Sequence, residues 1–313
     1  MRFYDAETIR AALPWPRIID ALRGALRSDV HAPLRVRHSI AVPGQASGSL
    51  LMMPAWRKGG RLGVKLVTVF PGNADRGARS VGAVYILFDA SDGRPLALFE
   101  GEEITARRTA AASALAASDL SRSDAHRLLM VGSGRQARGL VEAHASVRPL
   151  EQIRVWSRTL AHAQRAVAAL RERKLPAEVC TELERGVREA DIVSCATLST
   201  HPLVMGAWLQ PGTHLDLVGA FKRDMRESDD EAMRRADTLI VDDRSAALAE
   251  GGDIVQAIAS GAIDEARIAG DLRSLVTGAH GGRKHEGEIT VFKSVGFALE
   301  DLAAAEAVLD AQP

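Results

Sequence analysis

The spacing of hydrophobic positions changes twice along the chain. In the first thirty residues Ile18, Ile19, Leu22, Ala25 and Leu26 recur at helical intervals, and Pro16 suits a first helical turn. From about Pro33 to Leu98 the texture shifts to short β-like runs, Ser49 to Met53, Val64 to Phe70 and Ala83 to Phe88. Pro71-Gly72-Asn73 and Ser91-Asp92-Gly93-Arg94-Pro95 separate them as turns or loops, so mainly antiparallel strands are expected. A helix rich in Ala and Ser follows, from about Glu102 to Ser118, with side chains small enough for backbone or a ligand to come close. Beyond it, buried-looking runs at Leu128–Val131, Ile153–Trp156, Asp191–Ala196, His214–Val218 and Leu239–Asp242 alternate with helical or loop segments. That alternation predicts a parallel, doubly wound sheet with its ligand crevice at the carboxyl ends of the strands. The stretch Ile289 to Asp301 passes from strand-like into a final apolar helix, and Gly278 to Gly287 reads as a mobile glycine-rich loop.

The first of these runs continues into Gly132-Ser133-Gly134-Arg135-Gln136-Ala137, which reads as strand, glycine turn and helix. Gly132 permits the tight turn, Gly134 lets backbone approach a pyrophosphate, and Ala137 allows close helix–strand packing. The helix start offers N–H groups and the positive end of its dipole to phosphates. An ordinary tight turn would share the pattern, but the next strand ends in Ser157-Arg158-Thr159, where an adenosine ribose should lie. A hydroxyl followed by a guanidinium, with no carboxylate for the ribose 2′-hydroxyl, favours a 2′-phosphate. NADP(H) is therefore expected over NAD(H).

Composition narrows the class. The 313 residues suffice for two domains, and 46% hydrophobic content supports a sizeable core. Forty basic residues cancel forty acidic ones, which gives no electrostatic case for nucleic acid or an anionic membrane. Cys180 and Cys195 fit no metal or redox spacing, no run reaches membrane-spanning length, and the start lacks the apolar core of a signal peptide. A cytoplasmic protein is expected.

Lys65 alternates onto the same strand face as Val67 and Val69. If that face is buried its ammonium needs a partner, and a substrate carboxylate would serve; a snorkelling lysine is the alternative. Arg108 stands early in the small-residue helix with room for a ligand and a fork suited to carboxylate, although a surface charge would read the same. Arg35 is a weaker candidate of the same kind. His280 and His285 share a loop without a carboxylate or Cys partner, so no metal is expected.

Taken in order, Gly63-Val64-Lys65-Leu66-Val67-Thr68-Val69-Phe70-Pro71-Gly72-Asn73, Thr105-Ala106-Arg107-Arg108-Thr109-Ala110-Ala111, the glycine turn, Trp156-Ser157-Arg158-Thr159 and Val291-Phe292-Lys293-Ser294-Val295-Gly296 resemble the ornithine cyclodeaminase/mu-crystallin family over nearly the whole chain. The resemblance implies an α/β fold: a Rossmann-type doubly wound parallel sheet at 119–295, plus a smaller β-rich α+β domain at 1–118. The smaller domain would bind substrate, pair two subunits into a homodimer and be rejoined by the C-terminal helix 296–313. By position, Arg35, Lys65 and Arg108 match a clamp on the substrate carboxylate and Val295 a substrate contact. Ser80, Gly132, Ser133, Gly134, Arg135, Gln136, Ala137, Ser157, Arg158, Thr159, Thr197, Val218, Gly219 and Ser294 match cofactor contacts.

One departure bears on the reaction. Ornithine cyclodeaminases carry an acid after the fourth Rossmann strand, where this chain has Phe221, and Asp224 follows three residues later. Without that acid, release of ammonia from ornithine lacks its expected acid/base group. The expectation is therefore an NADPH-dependent reductase of a small amino/imino acid, a cyclic ketimine carboxylate, with Lys65, Arg108 and Asp224 as catalytic candidates. The proton donor is left open among Lys65, Asp224 and water. Ornithine cyclodeaminase and a non-catalytic NADPH-binding protein are the alternatives.

Overall fold

The computed structural model describes residues 1–311, without the side chains of residues 74 and 75. The chain divides into two units, Met1–Arg108 with Phe297–Pro313, and Thr109–Gly296. The division falls inside the small-residue helix, whereas the sequence places it at that helix's end. Residues 312 and 313, expected to finish the last helix, lie outside the described residues.

The chain opens with β1 (Arg2–Tyr4), α1 (Ala6–Ala12), α2 (Trp15–Arg27), β2 (Val30–His31), β3 (Val36–Ile40), β4 (Gly48–Arg57), β5 (Arg61–Val69), β6 (Val81–Asp89) and β7 (Pro95–Glu100), and then α3 (Gly101–Leu120). The helical stretch expected over the first thirty residues is two helices after a short strand. Pro14, which has no N–H to donate, stands between them. The five apolar positions read from the helical spacing are the buried face of α2. The sheet runs β1-β7-β6-β5-β4-β2, with β3 also on β4, and every pair is antiparallel except β1 with β7. Its buried face carries Met53, Ala55, Tyr85, Leu87, Ala97 and Phe99, and Lys65 lies among them.

The second unit contains β8 (Arg127–Val131), α4 (Arg135–Ala145), β9 (Gln152–Trp156), α5 (Leu160–Glu172), β10 (Ala177–Val179), α6 (Leu183–Glu189), β11 (Ile192–Cys195), β12 (His214–Leu217), α7 (Asp230–Arg235), β13 (Thr238–Val241), α8 (Arg244–Glu250), α9 (Gly252–Ala259), β14 (Ile268–Asp271), α10 (Leu272–Thr277) and β15 (Thr290–Lys293). The chain then enters α11 (Ala298–Ala311), which belongs to the first unit and packs on α2, β4 and β5. All strands of the second sheet are parallel, in the order β10-β9-β8-β11-β12-β15-β13-β14. Leu129, Val131, Val193, Cys195, Leu215, Leu217 and Val241 are fully buried, as strands covered on both faces must be. The strand order reverses between β8 and β11, the position where such sheets bind ligands.

The Gly278–Gly287 loop has an anchor that its glycines do not announce. The Arg283 guanidinium donates to the carbonyls of Leu120, Gly212 and Glu288, at 2.6–3.1 Å.

Candidate functional site

In the first unit, Lys65 is 2% exposed on β5, where its register neighbours are Met53 and Tyr85. The partner its burial demands comes from α11. The Asp301 carboxylate accepts from Lys65 Nζ at 2.8 Å, and Thr105 Oγ1 accepts at 3.3 Å. Arg108 meets the same helix. Its Nη1 donates to Glu300 at 2.6 Å and its Nε to Asp301 at 3.1 Å. Burial, assisted by the Arg108 and Arg35 charges and opposed by Asp301, lowers Lys65 to about 8. Arg35 is half-buried and close enough to act on Lys65 electrostatically.

The sequence expected Lys65 and Arg108 to turn to a ligand for their counter-charge. Instead, the last helix supplies it through Asp301 and Glu300, and a ligand carboxylate would add to charges already ordered. No local signal marks Glu300 and Asp301, because they become partners only through the fold. Ser80 is half-buried, and its carbonyl accepts from the Phe70 N–H at 2.7 Å.

In the second unit the glycine turn has the form the spacing predicts. Gly132 holds φ at +119°, and a Cβ there would lie 2.7 Å from the Ala196 carbonyl, so no other residue fits without a shift. At Gly134 a Cβ would meet nothing within 4 Å, which leaves open space beside the N-terminus of α4. Among the described residues no side chain caps that helix, and the buried Gln136 Oε1 has no hydrogen-bond partner. Arg135 is exposed, and Ala137 is buried beneath the turn. Ser133 Oγ donates to Ser157 Oγ at 2.9 Å, joining the glycine turn to the end of β9, where Arg158 and Thr159 are exposed. These features fit a dinucleotide: an uncapped helix start, room at Gly134 and no carboxylate after β9.

The carboxyl ends of β11, β12 and β15 are organised by acids that spacing did not reveal. Glu227, fully buried, accepts from Thr197 N–H at 2.6 Å, Thr197 Oγ1 at 2.8 Å and Gly219 N–H at 2.6 Å. Asp253 accepts from the N–H groups of Glu227 and Ser228 at 2.9 Å, and its other oxygen lies 3.1 Å from Lys293 Nζ. Asp242 accepts from Ser294 Oγ at 3.1 Å, Val295 N–H at 2.7 Å and Gly296 N–H at 2.5 Å. Thr197, Val218, Gly219, Ser294 and Val295 are thus ordered by Glu227, Asp242 and the strand ends themselves. Asp224, the acid chosen from the sequence, is exposed on the turn after β12; the acids held at the strand ends are Glu227, Asp242 and Asp253. Phe221 is half-buried, with Lys222 Nζ 5.9 Å from its ring centroid.

A Rossmann-type unit and a separate β-rich unit with a buried Lys–Arg–carboxylate group define a class of two-unit α/β protein. The ornithine cyclodeaminase/mu-crystallin family matches residues 5–312, and the chain belongs to that family. It is 40% identical over 294 residues to a Δ1-pyrroline-2-carboxylate reductase of Paracoccus denitrificans (strain Pd 1222), covering 94% of this chain and 91% of the relative. It is 37% identical over 264 residues to the ketimine reductase mu-crystallin of Mus musculus, covering 84% and 80%. The solved structure of Thermococcus litoralis Δ1-pyrroline-2-carboxylate reductase, in complex with NADH and L-proline, superposes with a TM-score of 0.92 at 33% identity, covering 99% of this chain and 97% of that one.

Proposed function

We propose that the chain is an NAD(P)H-dependent reductase of a cyclic ketimine carboxylate, Δ1-pyrroline-2-carboxylate or Δ1-piperideine-2-carboxylate, giving the L-imino acid. The observation that carries the reading is the buried meeting of Lys65 and Arg108 with Asp301 and Glu300, with the half-buried Arg35 within electrostatic reach of Lys65. Arg108 and Arg35 offer planar forks of the kind that receive a substrate carboxylate. The reactions named for the Paracoccus, mouse and Thermococcus relatives support the same substrate class.

When bound, the reduced nicotinamide supplies the hydride. Gly132, Gly134 and the start of α4 hold the pyrophosphate. Ser133, Arg135, Gln136 and Ala137 shape that turn, and Ser157, Arg158 and Thr159 take the adenosine end. Thr197, Val218, Gly219 and Ser294 serve the nicotinamide end. The chain's part in the reaction is orientation and charge. The ring nitrogen gains one proton as the imine becomes an amine. Lys65, buried and lowered to about 8, is still an ammonium at neutral pH and is the donor the geometry favours over exposed Asp224. Arg158 supports NADP(H) as the preferred cofactor, with NAD(H), the cofactor of the Thermococcus relative, as the alternative.

A homodimer is part of this reading. The sheet face opposite Lys65 is also apolar, row by row: Met52, Leu66 and Val84; Pro54, Val64, Ile86 and Leu98; Trp56, Leu62 and Phe88. These residues are only half-buried, and a second copy of the same face would cover them.

The test is oxidation of NADPH and NADH by the purified chain against Δ1-pyrroline-2-carboxylate, Δ1-piperideine-2-carboxylate and oxo acid/amine pairs, with ammonia release from ornithine in parallel. Turnover of a cyclic ketimine with negligible ammonia is expected. Conversion of ornithine to proline without ketimine reduction would establish the cyclodeaminase instead. Tight cofactor binding with no turnover of any compound would mark a binding protein.

A further inference from the structure

Three loops at the carboxyl ends of β8, β11 and β12 lie in direct contact. A Cβ at Gly132 would sit 2.7 Å from the Ala196 carbonyl oxygen, and one at Gly219 would sit 2.1 Å from the Thr197 carbonyl oxygen. Their relative placement depends on Glu227, because Oε1 takes both Thr197 donors and Oε2 takes the Gly219 N–H. We propose that Glu227 is a positioning residue whose ionised carboxylate locks the loops after β11 and β12 in the arrangement that binds the dinucleotide, and that protonating it releases them. The proposal rests on the dinucleotide reading above for what the loops bind, but not for the lock itself.

Every donor around Glu227 suits a carboxylate, and only the Thr197 hydroxyl could turn to accept from an acid. Two of the three are backbone N–H groups, which cannot turn to accept a proton. A neutral acid would leave at least one of them without its charged acceptor in a buried place, where that loss is most costly. The charged groups facing Glu227 are Asp253 from α9 and Lys293 from β15, beside the buried Cys195 thiol of β11. Burial pushes Glu227 up to about 7. Lys293 opposes the rise, and the Asp253 charge adds to it. The lock therefore changes state near neutral pH: it is closed above that value and released below it. At pH 6 roughly a tenth of the molecules would hold the competent state, so dinucleotide affinity should fall about tenfold from pH 8 to pH 6.

Two measurements on the full chain test this. Amide hydrogen exchange of the apoprotein, corrected for intrinsic rates, reads the segments 196–199 and 218–221 at pH 8 and pH 6. Fluorescence titration with NADPH and NADH reads Kd across the same range. In the unsubstituted chain, protection of both segments should drop at pH 6 while the β8 and β12 core stays protected. Glu227→Gln should show low protection and a weakened Kd that no longer depends on pH, and Glu227→Asp should restore part of the pH dependence. Equal protection of both segments at pH 8 and pH 6 in the unsubstituted chain would overturn the proposal, even if Glu227→Gln fails to fold. So would a Glu227→Gln variant that keeps the original Kd and pH profile. If the segments respond as expected but neither dinucleotide binds at any pH, the lock stands and the cofactor assignment fails.

Discussion

A lysine and an arginine buried on one strand–helix surface require counter-charges, and the last helix of the chain brings them. Removing one member of such a group strands the other, at a cost of about 3–5 kcal/mol. Lys65→Ala should therefore destabilise the fold as well as slow the reaction, and Asp301→Ala should do the same. In urea unfolding the double variant should be less destabilised than the two single costs added together, by roughly 0.5–3 kcal/mol, yet recover no turnover. Strict additivity would show that the pair is not coupled. The pH dependence has a definite sign. Lys65 is lowered to about 8, so its ammonium is lost above that pH, and kcat/KM should fall there. An unfolded lysine holds its proton to about 10.5, so between these values the unfolded chain binds more protons, and this group's contribution to stability rises with pH. Activity should thus be lost on the alkaline side while the fold persists. Because the Asp301 carboxylate raises the Lys65 value, Asp301→Asn should move the falling limb to lower pH. An unmoved limb would assign it to another group. Lys65 was legible in the sequence because a charge alternating with valines is anomalous. Its partner was not, because Asp301 lies 236 residues further on and only the fold unites them.

Among elements, the four- and five-residue strands of the Rossmann unit were readable because burial on both faces leaves them mostly apolar, and the polar side chains they bury, such as Ser194 and Asp216, are hydrogen-bonded to each other. β10, three residues long, and β14, whose burial alternates, lack such a run, so their pairing is set by their neighbours. Glu227 lies in an irregular segment before α7, where no period distinguishes a buried acid from exposed Asp224 three residues earlier. The end of β9 was more informative, since what matters there is the next few residues. Arg158 is exposed after the strand, Ser157 is tied to the glycine turn through Ser133, and no carboxylate occupies the segment. A 2′-phosphate carries about −1.5 to −2 charges, which a guanidinium attracts and a carboxylate would repel. NADPH should bind more tightly than NADH, and Arg158→Ala should narrow the difference by weakening NADPH alone. Equal dissociation constants for both cofactors in the unsubstituted chain would remove Arg158 from cofactor selection.

For the whole molecule the telling feature is a sheet with no polar face. An antiparallel sheet with one side in water alternates apolar and polar residues, but β4 to β7 place apolar side chains on both sides. One side is closed by the chain's own helices, with α11 on β4 and β5. On the other, Val64 pairs with Pro54 and Ile86, and Ile86 with Leu98, making a half-buried apolar row across four strands. On β3, Val36 extends the face beside Met52 and is 46% exposed. Apolar surface this continuous is what a second copy would cover in the proposed dimer. A twofold contact would set the row against its own copy, so one substitution at its centre acts twice. Val64→Arg should convert a dimer, measured by light scattering coupled to size-exclusion chromatography at micromolar concentration, into a monomer. Because Val64 points away from the Lys65 face, the Lys65–Asp301 pair should survive in that monomer, and the alkaline limb of cofactor-saturated turnover should stay near pH 8. A monomeric unsubstituted chain, or a dimer that Val64→Arg leaves intact, would assign the apolar face to some other cover.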